Sequence, residues 1–506
     1  VMIWSRIRTP LRVLILGLCI CVFAAYLVPE WRALSDVHSY FYQNAWDEYV
    51  YMSWQGALGA RHIPGYYPLY LVVELQKLGI SGSIQNLAFD TLLPPLTAYF
   101  IYRSLRLCGI EALRACSYSV IICFASVLFN ATNPLLTTFL SKHDPAATLM
   151  GGWEDYPSIL RTPSPQTSYL FIAMALFGFL RYRKPWILLT PLPLLYYYTA
   201  IPFCFLVAGG AISVLTRPIP MQPVARIALC SLIAFISAGV VADVLSNHMG
   251  PYAAVLHTSA ATYFESHKFQ IPIVALACGG IFFFVNATGI ARNRAPWTHW
   301  MLWVCAATFA TGNLQLITGT MISQKNYYDY GVSILGGMAI ALILEVIASE
   351  VANAVATIMV LAVVAYFTMT SQLPWYRLSI DVTRQAAPVI EPARKDPQHA
   401  VVTDWMISSI VTYGTAKMIA PPLSFQNVYP FVERQCDLNG MLEDSALAYA
   451  MTQLGIQSAT FKSLSDMREL ARQFSDITKA QPYKNLEYCQ PTRYEPAGFR
   501  LLSVAP

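Results

Sequence analysis

Asp47 and Glu48 stand side by side in an aromatic stretch, with Trp46, Tyr49, Tyr51 and Trp54 around them and Arg61, His62 and the turn Ile63 to Pro68 close behind. A positioned carboxylate of this kind can accept the proton of a hydroxyl as that oxygen attacks an electrophilic carbon. Asp47 and Tyr51 are four residues apart and share a face if the stretch begins a helix. Capping is the plainer role for both acids, because carboxylates favour the first turn of a helix. A second polar stretch carries Lys142, His143 and Asp144, then Glu154 and Asp155, and ends on Arg161 within Arg-Thr-Pro-Ser-Pro-Gln. A guanidinium grips phosphate through two donors, which makes Arg161 the preferred phosphate contact. Lys325, Arg61, His62 and His143 are further candidates, and each also suits an ordinary anchor at a membrane surface.

The elements that must hold these residues are apolar. Only 12% of the 506 residues are charged, against roughly 25% in soluble proteins. Repeated runs of about 18 or more mostly apolar residues are long enough to cross a bilayer as helix. The fold class expected is a polytopic α-helical membrane protein of about eleven spans, the first over 11–29 and the last over 352–371. The first span reads as a retained anchor rather than a cleaved signal. Lys and Arg gather at cytoplasmic span ends. Arg6, Arg8 and Arg12 before the first span, Arg103 and Arg106 after the second, and Arg181, Arg183 and Lys184 after the fourth therefore place the N-terminus inside. On this topology the long segments, about 30–86, 130–166 and 245–270, all face outside.

Two domains are expected. Residues 1–372 form the membrane domain. Residues 373–506 form a small extracytoplasmic α/β domain, with strands at His-Ala-Val-Val, Lys-Met-Ile-Ala and Phe-Arg-Leu-Leu. Cys436 and Cys489 fall in that tail, where an oxidising compartment permits a disulfide. The other cysteines fall in or beside spans, where a free thiol behaves as a small hydrophobe. Asp90, Asp243 and Glu345 lie in or beside spans, and the sequence places each at a membrane interface.

No P-loop, dinucleotide fingerprint, His-Glu-x-x-His or paired Cys-x-x-Cys occurs, and no basic, aromatic-interleaved surface suggests nucleic acid. Adjacent His143 and Asp144 lack the spacing of a recognised metal site. No cofactor is required by the sequence, and a divalent cation, Mg or Mn, stays open.

The acidic pair followed by an aromatic, and then after about fifteen residues by Tyr66-Tyr67-Pro68-Leu69, resembles the GT-C superfamily of integral-membrane glycosyltransferases, closest to the protein O-mannosyltransferase and lipid A aminoarabinose transferase type. The layout of about eleven spans, a long first external loop and an external C-terminal domain is also similar. The resemblance implies transfer of a sugar from a polyprenyl-phosphate donor to a lipid or cell-envelope glycan hydroxyl on the external face, with inversion. It implies Asp47 as base, Glu48 as its neighbour in the site, and Asp144 as the second-loop acid. Tyr51, Tyr67, Glu154 and Asp155 are substrate-binding candidates, and Arg161, Lys325, Arg61, His62 and His143 remain those for the donor phosphate. A bacterial inner (plasma) membrane is the default location, with membrane lipids as surroundings. The alternative is a transporter or flippase of a lipid-linked glycan. Transporters carry repeated halves and broken helices at the midplane, and here Pro191, Pro193 and Pro202 have no matching segment.

Overall fold

A backbone removed from water must satisfy its own N–H and C=O groups, and a helix does so within one segment. The computed structural model describes residues 2–37, 82–128, 158–160, 166–182, most of 184–195, 273–289 and 324–395, three short strands, and isolated positions between these. The helices are α1 (Met2–Val37), α2 (Gly82–Leu107), α3 (Ala112–Phe124), α4 (Gln166–Tyr182), α5 (Ile273–Ala287), α6 (Gln324–Val346) and α7 (Glu350–Lys395). Each covers an expected apolar run.

Among the described residues, two helical stretches are long and apolar enough to cross a membrane: Thr9–Arg32 in α1, with mean hydropathy 2.5, and Glu350–Ser371 in α7, with 2.0. They lie against each other. Both leave large apolar side chains exposed, among them Val13, Leu16, Ile20, Val355 and Met359. Contiguous apolar exposure marks surface that meets something other than water. Shorter apolar helices cover Ala112–Leu128, Leu276–Ala287 and Ile334–Val346.

The core gathers where α3 is enclosed by α1, α2, α6 and α7. Tyr26 stacks on Phe124 at 5.6 Å between ring centroids, and Phe23 meets Phe124 edge-on at 5.3 Å. These are the offset and edge geometries that aromatic quadrupoles favour. The crossing of α3 and α6 is so close that a Cβ on Gly337 would stand 2.5 Å from the Cα of Ile122. A glycine lets two backbones approach as no other residue does.

The turn from α2 to α3 is a helix stop of defined chemistry. Ile110 N–H donates to Leu105 and Gly109 N–H to Arg106, with Gly109 at φ 88°. That is a Schellman motif, in which the residue past the helix adopts the left-handed conformation that glycine tolerates best. Ser349 caps α7, accepting from the Ala352 N–H at 3.3 Å. A serine just before a helix supplies an acceptor that the first turn lacks.

The apolar stretch of α7 ends at Ser371, where the sequence ends the last span, and the helix itself runs on to Lys395. Hydropathy ends where the apolar run ends, while helical hydrogen bonding continues through polar residues. In the tail, β1 (Ala400–Val402), β2 (Thr460–Phe461) and β3 (Phe499–Leu501) form one sheet in the order β1-β3-β2. β1 pairs parallel with β3, Ala400 opposite Phe499, and β2 pairs antiparallel with it. β1 and β3 are strands read from the sequence, and β2 is not. The expected strand at Lys-Met-Ile-Ala and the cysteines 436 and 489 lie outside the described residues, as does the expected span over 225–244.

Candidate functional site

Pro94 and Pro95 sit inside α2. A proline has no N–H, so the carbonyl four residues earlier loses its helical donor. For Pro94 that carbonyl is Asp90's. The Tyr26 hydroxyl of α1 fills the gap, donating to the Asp90 main-chain oxygen at 3.0 Å. The Asp90 carboxylate in turn accepts from the Gln166 side-chain amide at the start of α4. Three helices are thus joined at one aspartate, and Tyr26, Asp90 and Gln166 are all completely enclosed.

More polar groups collect beside them. Glu30, a turn beyond Tyr26 on α1, is also fully buried, as are Gln85 and Asn86 on α2. Gln85 donates to the Ile80 carbonyl at 2.9 Å. The Gln85 and Asn86 side-chain oxygens and the Thr91 hydroxyl are buried with no hydrogen-bond partner among the described residues. A buried polar atom left in this state costs about 1–3 kcal/mol, so this end of the bundle is built for polar company.

Its position gives the cluster meaning. α1 leads from this end into the stretch that carries Asp47, Glu48, Tyr51, Arg61, His62 and Tyr67, and α2 begins where that stretch closes. The stretch with His143, Asp144, Glu154, Asp155 and Arg161 ends at Gln166, where α4 begins. All eleven of those candidates lie outside the described residues. Arg161 is nevertheless bracketed by two buried neighbours in sequence, Leu160 and Gln166, both fully enclosed. Leu160 closes a 3-10 turn, Ser158–Leu160, that packs on α2 and α6. Lys325 lies in the first turn of α6. Because α6 runs antiparallel to α3, that turn points toward the end of the bundle where Tyr26 stacks on Phe124.

A second polar cluster occupies the opposite end. Arg114 of α3 pairs with Glu345 of α6 at 3.6 Å. The Tyr118 hydroxyl donates to the Glu345 carboxylate at 3.0 Å. Asn353 of α7 donates to the Tyr118 oxygen at 3.2 Å and to the Leu344 carbonyl. These contacts clamp the α6–α7 hairpin onto α3. Glu345 is therefore packed among its neighbours, 6% exposed, and Asp90 likewise is enclosed. Hydropathy reports depth along a span and not which neighbour a side chain faces.

Sequence reading passes over Tyr26, Glu30, Gln85, Asn86 and Gln166. A usable signal is present in Pro94 standing four residues after Asp90, which marks a carbonyl that needs a donor from elsewhere. No group of three or more His, Cys, Asp or Glu placed to hold a metal occurs among the described residues. No known family model matches the chain, and no curated protein matches it.

Proposed function

We propose that the chain is a membrane glycosyltransferase of the GT-C type, with about eleven spans and its active face outside. It moves a sugar from a polyprenyl-phosphate donor to a lipid or glycan hydroxyl. In the step, the acceptor oxygen bonds to the anomeric carbon as the carbon–phosphate-oxygen bond breaks. The acceptor proton passes to Asp47, and the lipid phosphate leaves with the electron pair. A single in-line displacement inverts the anomeric centre.

The observation that carries this reading is the gathering of buried Glu30, Gln85, Asn86, Asp90 and Gln166 at the bundle end from which both candidate stretches spring. Amides and carboxylates of this kind suit sugar hydroxyls, since a site built to hydrogen-bond a hydroxyl discriminates strongly for it. Gln166, five residues after Arg161, and the first turn of α6, which carries Lys325, belong to the same end, and Arg161 and Lys325 are the two cations assigned to the leaving phosphate. Fixed cations there stabilise the charge that develops as the bond breaks. Glu48 orients the acceptor, and Asp144 supplies the second acid.

Transfer of labelled sugar from a polyprenyl-phosphate donor, in membranes matched for expression, tests the reading. Asp47→Asn should lower turnover about a hundredfold or more, the usual weight of a positioned base. Unchanged turnover removes Asp47 from the role. Movement of lipid-linked glycan across the bilayer without transfer would establish the transporter instead.

A further inference from the structure

Helices α1 and α3 run in the same direction, since Arg12 pairs with Glu111 at 3.6 Å at one end of their seam and Tyr26 stacks on Phe124 at 5.6 Å between ring centroids at the other. Cys19 lies seven residues before Tyr26 and Cys116 eight before Phe124, so the two stand at one height along the seam. There the Cys19 thiol donates a hydrogen bond to the Cys116 sulfur. Cys19 is buried on the inner face of α1 with Ile15, Val22 and Tyr26, whereas Cys116 is partly exposed, and both are free thiols. The other thiols near them differ. Cys123 is enclosed, and exposed Cys21, two residues from Cys19, lies on another face of α1.

We infer that Cys19 and Cys116 form a redox-active dithiol, open in the reduced chain and closed to an α1–α3 cross-link by exchange with a small disulfide. An accessible thiol poised beside a second, resolving thiol is the arrangement of a redox sensor. Sulfurs already hydrogen-bonded need only a change of side-chain rotamer to approach the length of an S–S bond, about 2 Å. Cys116, the exposed member, loses its proton and attacks one sulfur of the incoming disulfide. That S–S bond breaks, and the departing thiolate takes up the proton. Cys19 then attacks the Cys116 sulfur of the mixed disulfide, and the second small thiolate leaves with the Cys19 proton. Two protein thiols are oxidised, and one small disulfide is reduced to two thiols. α1 leads into the stretch with Asp47, and α3 into the one with Asp144. The cross-link therefore fixes the two helices that, on the transferase reading, present both acids. The dithiol itself rests on no step of sugar transfer.

Treating the full-length protein in detergent with bis(hydroxyethyl) disulfide, capping the remaining thiols with N-ethylmaleimide and mapping the peptides by mass spectrometry tests it. The Cys19 and Cys116 peptides should be joined, and dithiothreitol should release them. Cys19→Ser should leave the mixed disulfide trapped on Cys116, with Cys123 still unmodified, which separates a lost resolving thiol from lost folding. Cys116→Ser should abolish the joined peptide, and Cys123→Ser should leave it intact. The joined form should unfold at a higher temperature than the reduced form, because the cross-link restricts the unfolded chain, and Cys19→Ser should show no such shift. Absence of the joined peptide, joining of either cysteine to a different partner in preference, a mixed disulfide on Cys21 but not on Cys116 in Cys19→Ser, or an unfolding temperature unchanged by joining would each overturn the assignment. None of these readouts depends on sugar transfer, so this inference and the transferase reading stand or fall separately.

Discussion

The Tyr26 hydroxyl donates to the main-chain carbonyl of Asp90 at 3.0 Å across α1 and α2, and that carbonyl is open to it because Pro94 offers no amide. A local irregularity in one helix thereby becomes a bond between two. The same aspartate's carboxylate holds Gln166, the residue at which the Arg161 stretch re-enters the bundle.

Removing the donor should be costly only while the acceptor needs it. Tyr26→Phe is expected to lower unfolding free energy by about 1–3 kcal/mol, the cost of leaving a buried carbonyl unmatched. Pro94→Ala restores an amide four residues after Asp90. In that background Tyr26→Phe should cost less, with a coupling of about 0.5 kcal/mol or more. Denaturant unfolding of the four proteins in detergent measures the cycle, and equal losses in both backgrounds would show that Pro94 is not what frees the carbonyl.

Gly337 offers a sharper contrast. A Cβ there would lie 2.5 Å from Ile122 Cα and 2.9 Å from the main-chain oxygens of Ile121 and Ile122. Backbone cannot swing aside as a side chain does, so Gly337→Ala should destabilise by about 1–3 kcal/mol through forced separation of α3 and α6. Among the described residues, Gly280 in α5 meets nothing within 4 Å of its added Cβ. Gly280→Ala should be neutral or stabilising by up to about 1 kcal/mol, since alanine is the better helix former. Thermal unfolding of the pair decides between steric crowding and a general intolerance of alanine.

What the sequence made legible follows the physics of a lipid-facing helix. Length and hydropathy locate α1 to α7 because an apolar run of spanning length has few other uses. They miss the polar first turn of α6, which starts at Gln324 ahead of its apolar run, and the continuation of α7 to Lys395. They also say nothing of what Asp90 touches. Its partners Tyr26 and Gln166 are 64 and 76 residues away, and no periodicity within α2 can announce contacts of that separation. In the tail, β1 and β3 are short apolar runs and so can be read, whereas the two residues of β2 are too few to carry alternation. The candidate chemistry is local in sequence, as with Asp47 beside Glu48, but the enclosed cluster at its root is assembled from three distant helices.

The opposite end of the bundle makes a separate point about charge. Glu345 serves Arg114 and Tyr118 together. Glu345→Ala strands both, and because Arg114 remains 28% exposed the loss should fall below the roughly 3–5 kcal/mol of a fully enclosed pair. Glu345→Gln keeps an acceptor for Tyr118 and should lose less than the alanine variant. Chemical unfolding of the two variants checks the order, and equal losses would mean that the Tyr118 bond contributes nothing.

Orientation is the expectation on which the largest part of the functional reading depends. Basic residues that are far apart in sequence converge at one end of the structure: Arg12 early in α1, Arg106 in the last turn of α2, and Arg114 in the first turn of α3. Arg12 and Arg114 line one cavity there, and the Arg106 guanidinium donates to the Ile110 carbonyl at 2.6 Å. Cations at span ends favour the cytoplasmic side, so the Arg12 end should lie inside and the Tyr26 end outside. Alkaline phosphatase becomes active only after export, which makes it a reporter of side. Fusion after residue 80, between α1 and α2, should give active enzyme, and fusion after residue 110, between α2 and α3, should not. The reverse pattern would put Asp47 and Arg161 on the cytoplasmic face and remove the case for a donor presented outside.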